Sequence, residues 1–278
     1  MNICFIGGGN MATALIGGLL GKGFSAQQIS VVEISTENRT RLARDFSVRA
    51  VESIAEGVAG SDIIIFAVKP QQLRAVAQQL AGLLKGQLLI SIAAGIRAVD
   101  LARWAGSQTV VRAMPNTPAL IQSGITGLYA LPGVSAAQRE QAQNILAAAG
   151  ETLWLQDEAM LDAVTAISGS GPAYVFYFIE ALQQAARELG FDDDQARQLS
   201  LATFLGASKL AAVSAEDVSI LRTRVTSKNG TTERALLSLA ANQVALHIGQ
   251  ATKAAADRAR QMGDELSDES GNLSGKNQ

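Results

Sequence analysis

Apolar residues follow two different rhythms along this chain, and the change between them divides it. In the first half, solid apolar runs of a few residues alternate with amphipathic stretches. Asn2-Ile3-Cys4-Phe5-Ile6 is the first run and Ile29 to Ile34 the second. Asp62-Ile63-Ile64-Ile65-Phe66-Ala67-Val68 is apolar without alternation, as a parallel strand covered on both faces requires. Gln87 to Ser91, Thr109 to Val111 and Glu151 to Leu155 also read as strands. Helical stretches lie between them, among them Thr13 to Leu20 and Gln71 to Leu84. Ser135-Ala136-Ala137-Gln138, after the Pro132-Gly133 turn, carries a capping-box signal. The helix it opens should run to Ala149 and stop at Gly150. Repeated strand–helix units predict a parallel sheet with right-handed crossovers.

From Asp157 onward no segment reads as a strand. Leu161 to Ile167, Ala173 to Leu189, Asp194 to Val213, Glu216 to Leu221, Glu233 to Leu239 and Val244 to Met262 carry helical patterns. Gly190 serves as a helix stop and Asp192 as the next N-cap. The expected fold class is α/β: a Rossmann-type parallel-sheet domain over 1–156, followed by an all-α dimerisation domain over 157–262. Abundant Ala and Leu in the helical half predict close helix packing between subunits. The polar stretch 263–278, with Asp264, Glu265, Asp268 and Glu269, reads as a disordered tail.

Composition narrows the function classes. A net charge of −2 gives no basic surface for nucleic acid or anionic lipid. The one cysteine, Cys4, lies in an apolar run and leaves no intramolecular disulfide. The one histidine, His247, rules out a His-rich metal centre, so no metal is expected. The chain has no basic leader and no apolar run long enough to span a bilayer, and it reads as cytoplasmic.

The chemistry begins where the first strand ends. Ile6 passes into Gly7-Gly8-Gly9-Asn10-Met11-Ala12, spaced Gly-x-Gly-x-x-Ala, with a helix after it. Strand, tight turn and helix in that order cradle a dinucleotide pyrophosphate. The first glycine makes the turn, the second admits the phosphates, and the helix start faces the anion. About twenty residues on, Glu33 stands where an acidic side chain binds the ribose hydroxyl of NAD. Ser35, Thr36, Asn38 and Arg39 follow and offer partners for a 2′-phosphate, although Arg39 and Arg41 could equally be solvated helix charges. NADPH is the expected cofactor, with NADH the alternative.

Ligands of open parallel sheets bind at the carboxyl ends of the strands. Three segments fall there: Ala67-Val68-Lys69-Pro70, Ala93-Ala94-Gly95 and Met114-Pro115-Asn116-Thr117-Pro118. Lys69 could reach phosphate or ribose, or be a plain surface lysine. In the helical half, Ser168-Gly169-Ser170-Gly171-Pro172-Ala173 interrupts a helical region. Val225-Thr226-Ser227-Lys228-Asn229-Gly230-Thr231-Thr232 leads into a helix. Its hydroxyls and helix start suit a small carboxylate, though Thr231 or Thr232 capping that helix would use the same amides.

Together these six segments resemble the pyrroline-5-carboxylate reductase family over about residues 1–262. The resemblance implies NADPH held by Ile6, Gly7, Gly8, Gly9, Asn10, Met11, Ser35, Thr36, Arg39, Ala67, Val68, Lys69, Pro70, Ala93 and Asn116. It implies a cyclic imino acid held by Ser170, Ser227, Gly230, Thr231 and Thr232, with Thr232 as the catalytic hydroxyl. It further implies a homodimer with a site drawn from both chains, and dimers assembled into a larger ring. One departure stands out. Lys228-Asn229 occupies the place of the family's Pro-Gly, and Asn tolerates the left-handed backbone better than most residues.

The absence of an obvious acid is consistent with this chemistry. A cyclic imine arrives protonated, so reduction yields a neutral amine and the enzyme's main task is positioning. A β-hydroxyacid dehydrogenase shares the layout, but the lysine expected after its glycine-rich helix motif is missing from Tyr174 to Ile179. A nucleotide-binding sensor would keep the Gly7–Gly9 loop and have no need of the Ser227–Thr232 segment.

Overall fold

The computed structural model describes residues 1–268. The order is β1 (Ile3–Ile6), α1 (Asn10–Gly21), β2 (Ile29–Val32), α2 (Thr36–Phe46), β3 (Arg49–Val51), α3 (Ile54–Val58), β4 (Ile63–Phe66), α4 (Pro70–Ala81), β5 (Leu88–Ser91) and α5 (Ala98–Ala105). It continues with β6 (Val110–Met114), β7 (Gly124–Ala130), α6 (Ala136–Leu146), β8 (Gly150–Trp154) and α7 (Met160–Val164). After a π-helical turn at Thr165–Gly169 come α8 (Gly171–Glu188), α9 (Asp193–Val213), α10 (Val218–Arg224), α11 (Thr231–Ala241) and α12 (Val244–Asp268). Two compact units result, one of residues 1–170 with the described residues from Ala255 onward, the other Gly171–Ala254.

The first unit is built on one eight-stranded sheet in the order β3-β2-β1-β4-β5-β6-β7-β8. The apolar runs explain it. In β1, Ile3 and Phe5 join one core with Leu15, Ile16 and Ile145, while Cys4 and Ile6 join another with Leu73, Leu101 and Trp104. Both faces of the strand are therefore dry, and side chains of either parity must be apolar. Each fully buried Ile or Phe contributes about 2 kcal/mol of burial free energy. Ile3 pairs in parallel with Ile29 on one side and Ile63 on the other.

Two expectations are corrected. The sheet is parallel except for one pair: β7 runs antiparallel to β6, with Ala113 opposite Leu128. Gly124, Thr126 and Gly127 dilute the apolar pattern of β7, and a 3-10 turn at Thr117–Ile121 replaces a crossover helix. The second correction concerns the tail. Residues 263–268 continue α12 as helix, because Leu266 packs on the core. The remainder of the expected tail, 269–278, lies outside the described residues. The expected boundary near Gln156 falls just past β8, whereas the first compact unit continues through α7 to Ser170.

Local signals otherwise translate directly. Ser135 and Gln138 form the capping box of α6, which ends at Leu146 rather than Ala149; a 3-10 turn over Ala147–Ala149 leads to Gly150 at φ +143°. Asp192 caps α9 and accepts from the Gln195 amide at 2.8 Å. In the second unit the described residues that are buried are only Ala186, Ala196 and Ser200. Phe176, Tyr177, Leu205 and Val213 are exposed, Val213 at 83 %. Helices with this much uncovered apolar surface require a further surface to pack against.

Cys4 gives a direct check on the core. It is fully buried, and burial pushes its thiol up to about 11, outweighing a hydrogen bond from Ser30. Deprotonation at pH 8 is correspondingly suppressed in the folded chain and restored on unfolding. Alkylation at pH 8 should label Cys4 only when denaturant unfolds the protein. Stoichiometric labelling of native protein within minutes would contradict the dry sheet.

Candidate functional site

The carboxyl edge of β1, β2 and β4 opens into a cleft of 940 Å³. Its lining includes Ile6, Gly7, Gly8 and Gly9 from the first turn, Glu33 and Ile34 after β2, and Ala67, Val68 and Lys69 after β4. Gly7 adopts φ +102°, and a Cβ there would meet the Ala67 carbonyl oxygen at 2.6 Å. That backbone crossing is open only to glycine. Gly9 differs, since a Cβ on it would touch nothing within 4 Å. Gly9 is also the N-cap of α1 and supplies no side-chain cap. The first amides of α1 are thus without a capping side chain beside open space, which is the physical requirement for a pyrophosphate cradle. Ala12 is fully buried against the sheet, as its place in the motif demands.

Glu33 is turned inward. Its Oε2 accepts from the Gly8 amide at 3.1 Å and from Asn38 Nδ2 at 2.8 Å, and its Oε1 accepts from the Ser35 amide at 2.9 Å. Burial pushes the carboxyl up, but the bonds from Ser35, Asn38, Gly8 and Ile34 together win and hold it below the usual range. The cleft therefore keeps a fixed negative charge at its β2 end. Asn38 also donates to the Gly8 carbonyl at 3.0 Å and accepts from Arg41 at 2.7 Å, so the loop is tied to α2.

Neither arginine near this end is a solvated helix charge. Arg39 donates to the Glu33 and Ile34 carbonyls at 2.7 and 2.8 Å and to Thr36 Oγ1 at 3.0 Å. It also pairs with Glu52 at 3.0 Å. Ser35 caps α2, accepting from the Asn38 amide at 3.3 Å.

The sequence missed the other wall, formed by Glu52, Ser53 and Ile54 with Gln71, Gln72, Ala75, Val76 and Gln79 of α4. Ser53-Ile54-Ala55-Glu56 was a legible start signal, and Ser53 does accept from the Glu56 amide. Lys69 is exposed at the cleft rim, and Pro70 is the first residue of α4. Asn10, Met11, Ser35, Thr36, Arg39, Pro70, Ala93 and Asn116 are not among the lining residues. Ala93 is buried beside Ser91, whose Oγ accepts its amide at 3.3 Å. Asn116 is also buried and accepts from the Ile125 amide at 3.0 Å, fastening the end of β6 to β7.

In the second unit, Ser227 to Thr232 make one compact turn. Asn229 takes φ +59°, the left-handed conformation its place in the turn calls for. Its amide donates to Glu233 Oε2 at 2.7 Å. Gly230 donates to the Ser227 carbonyl at 3.0 Å, and a Cβ on Gly230 would meet Ser227 Oγ at 2.3 Å. Gly230 is the N-cap of α11 and carries no side-chain cap, while Thr231 and Thr232 lie within the helix. The threonines therefore do not cap α11, and the alternative open in the sequence is removed. Ser170 closes the π-helical turn, its amide bonded to the Thr165 carbonyl at 2.8 Å. That turn is the irregularity that Gly169 and Gly171 signalled.

Residues 158–262 match the family model for pyrroline-5-carboxylate reductase dimerisation. Residues 2–95 match that for coenzyme F420-dependent NADP oxidoreductase. The pyrroline-5-carboxylate reductase of Pseudomonas aeruginosa is 49% identical, covering 95% of this chain and 97% of its own. That of Arabidopsis thaliana is 34% identical, covering 93% and 94%. Among solved structures, a Coxiella burnetii pyrroline-5-carboxylate reductase superposes with TM-score 0.90 at 36% identity, covering 94% of this chain and 98% of its own. The Plasmodium falciparum pyrroline carboxylate reductase with NADP bound superposes at 0.85 and 29% identity, covering 95% and 98%. This chain belongs to the pyrroline-5-carboxylate reductase family.

Proposed function

We propose that this chain reduces 1-pyrroline-5-carboxylate to L-proline, the last step of proline synthesis, with NADPH as reductant. The observation that carries the reading is the open cleft at the sheet's carboxyl edge, floored by Gly7–Gly9, in a chain of this family. When bound, the nicotinamide would supply a hydride to the cyclic C=N carbon. The residues fit that group, since α1 begins at Gly9 without a side-chain cap and with room beside it. Ile6, Gly7, Gly8, Gly9, Asn10 and Met11 are assigned to the pyrophosphate, Ser35, Thr36 and Arg39 to the ribose end, and Ala67–Pro70 with Ala93 and Asn116 to the remainder.

The substrate's carboxylate is assigned to the start of α11. Ser227, Gly230 and Thr231 surround a helix terminus that has no side-chain cap, and such a terminus attracts an anion. Ser170 is assigned to the same substrate. Thr232 is assigned to the ring nitrogen. That nitrogen is protonated in the reactant imine and becomes a neutral amine in the product, so a hydroxyl that orients it suffices. The active form is a homodimer, with dimers joined in a larger ring. The uncovered Phe176, Tyr177 and Leu205 support such packing. The compartment is the cytoplasm, which agrees with the absence of a membrane-length apolar helix among the described residues.

Thr232→Ala should lower kcat by about 10- to 100-fold, the value of one hydrogen bond to a charged group, with KM for NADPH within about twofold. Steady-state kinetics equal to those of the unaltered chain would reject the role. Glu33 yields a second expectation. Its fixed carboxylate repels a 2′-phosphate and not a 2′-hydroxyl. Glu33→Gln should raise the ratio of kcat/KM for NADPH over NADH about tenfold, or about 1.4 kcal/mol. An equal fall with both cofactors would show that Glu33 only shapes the Gly8 loop.

A further inference from the structure

The loop after β5, from Ile92 to Arg97, lies at the same carboxyl edge as the cleft but is fastened by residues far away in sequence. Gly95 takes φ +74° there, and its carbonyl oxygen lies 3.4 Å from the position a Cβ on buried Gly263 would occupy. Leu266 Cδ1 lies 3.2 Å, and Met262 Cβ 3.4 Å, from the position a Cβ on Gly95 would take. Leu266 packs on the core that contains Ala93, Ile96, Ala98 and Leu101. Asp264 pairs with Arg97, and Ser267 Oγ donates to Asp100, itself a buried carboxylate in α5.

A second fastening holds the end of the same loop. The N-cap of α5, Arg97, provides no side-chain cap. Glu158 Oε1 takes the Ala98 amide at 2.7 Å instead, and also accepts from buried Arg112 at 3.0 Å. Asp162 accepts from the same guanidinium at 3.4 Å. An exposed ion pair such as Arg97–Asp264 contributes little alone. Here it is joined to apolar packing and to a bond with a buried carboxylate. Of the α12 residues that reach the loop or the α5 that follows it, Gly263, Asp264, Leu266 and Ser267 come after the last residue of the dimerisation match at 262.

We propose that the last turns of α12, Met262 to Ser267, form a clasp that positions the Ala93–Arg97 loop against the nicotinamide. The proposal rests on the reductase reading. Ala93 and Gly95 are buried and Ala94 between them is partly exposed, so on that reading a flat ring approaches the loop at Ala94 and any drift of the loop moves the ring. Misplacement of a reacting centre by about 1 Å can cost as much as about 10²-fold in rate. Asp264, Leu266 and Ser267 are positioning residues, acting through the loop.

The test uses the full chain carrying Asp264→Ala, Leu266→Ala and Ser267→Ala together, with Glu265→Ala as control. Glu265 sits on the same turn and pairs with Arg258. The clasp variant should lose about tenfold in kcat while KM for NADPH changes by less than about twofold, since the Gly7–Glu33 cleft is untouched. Trypsin should also cut the Arg97–Ala98 bond faster. The control should match the unaltered chain in both, and a variant that keeps Asp264 and Ser267 and carries only Leu266→Met should recover most of kcat. Wild-type kcat with faster cleavage, or no change in either, would overturn the proposal. If the triple variant fails to fold, Asp264→Asn alone must still speed cleavage at Arg97 and lower kcat, and wild-type behaviour would overturn it. An unaltered chain without reductase activity sinks the functional reading, and the proteolysis arm then still decides whether the clasp exists.

Discussion

A helix that starts without a side-chain cap is the feature on which both proposed sites depend. Five helix starts in this protein are closed. Ser35, Ser53, Ser135, Asp192 and Asp217 cap α2, α3, α6, α9 and α10 with their own side chains. α1 and α11 begin instead at Gly9 and Gly230, which have no side chain to offer. α4 begins at Lys69 without a side-chain cap, at the rim of the same cleft as α1. Orphan amides and a positive dipole end are costly to leave unpaired and favourable to offer to an anion. α5 and α7 also start without a side-chain cap, at Arg97 and Ala159, but of these starts only α1 and α11 have a glycine N-cap, and these are the two assigned to phosphate and carboxylate.

The surroundings of α1 show how such an opening is kept in shape. The Gly8 amide is already satisfied by Glu33, and the Gly8 carbonyl by Asn38. Asn38 is in turn held by Arg41. The loop is thereby fixed from the α2 side, while Gly9 and the first turn of α1 stay free of side-chain capping. The same carboxylate that steadies the loop sets the charge at the ribose end. Loop shape and cofactor choice are consequently coupled through one residue, and Arg39, bound to two carbonyls and to Glu52, is only partly available to offset it.

Much of this was legible in the sequence, for identifiable reasons. Solid apolar runs such as Ile63–Phe66 named the parallel strands, because a strand dry on both faces cannot alternate. Glycine spacing named the Gly7–Gly9 turn, and Asn229 was read as able to take the left-handed turn it does take. β7 was hidden because Gly124, Thr126 and Gly127 break its apolar pattern and its antiparallel pairing needs no crossover helix. The helical stretch 263–268 was hidden because its polar residues look like a solvated tail. Asp264 and Ser267 are spent on Arg97 and Asp100, partners about 167 positions away. The inward turn of Glu33 and the wall from Glu52 to Ile54 depend on side-chain direction, which residue spacing does not encode.

The most direct measurement mixes purified protein with NADPH and 1-pyrroline-5-carboxylate and follows nicotinamide absorbance, with a 3-hydroxy acid plus NADP as the contrast. Loss of the reduced-nicotinamide band that depends on the imino acid, with proline as product and no reaction in the contrast, is the expected result. An unchanged band with the imino acid, or turnover of the hydroxy acid in its place, would contradict it.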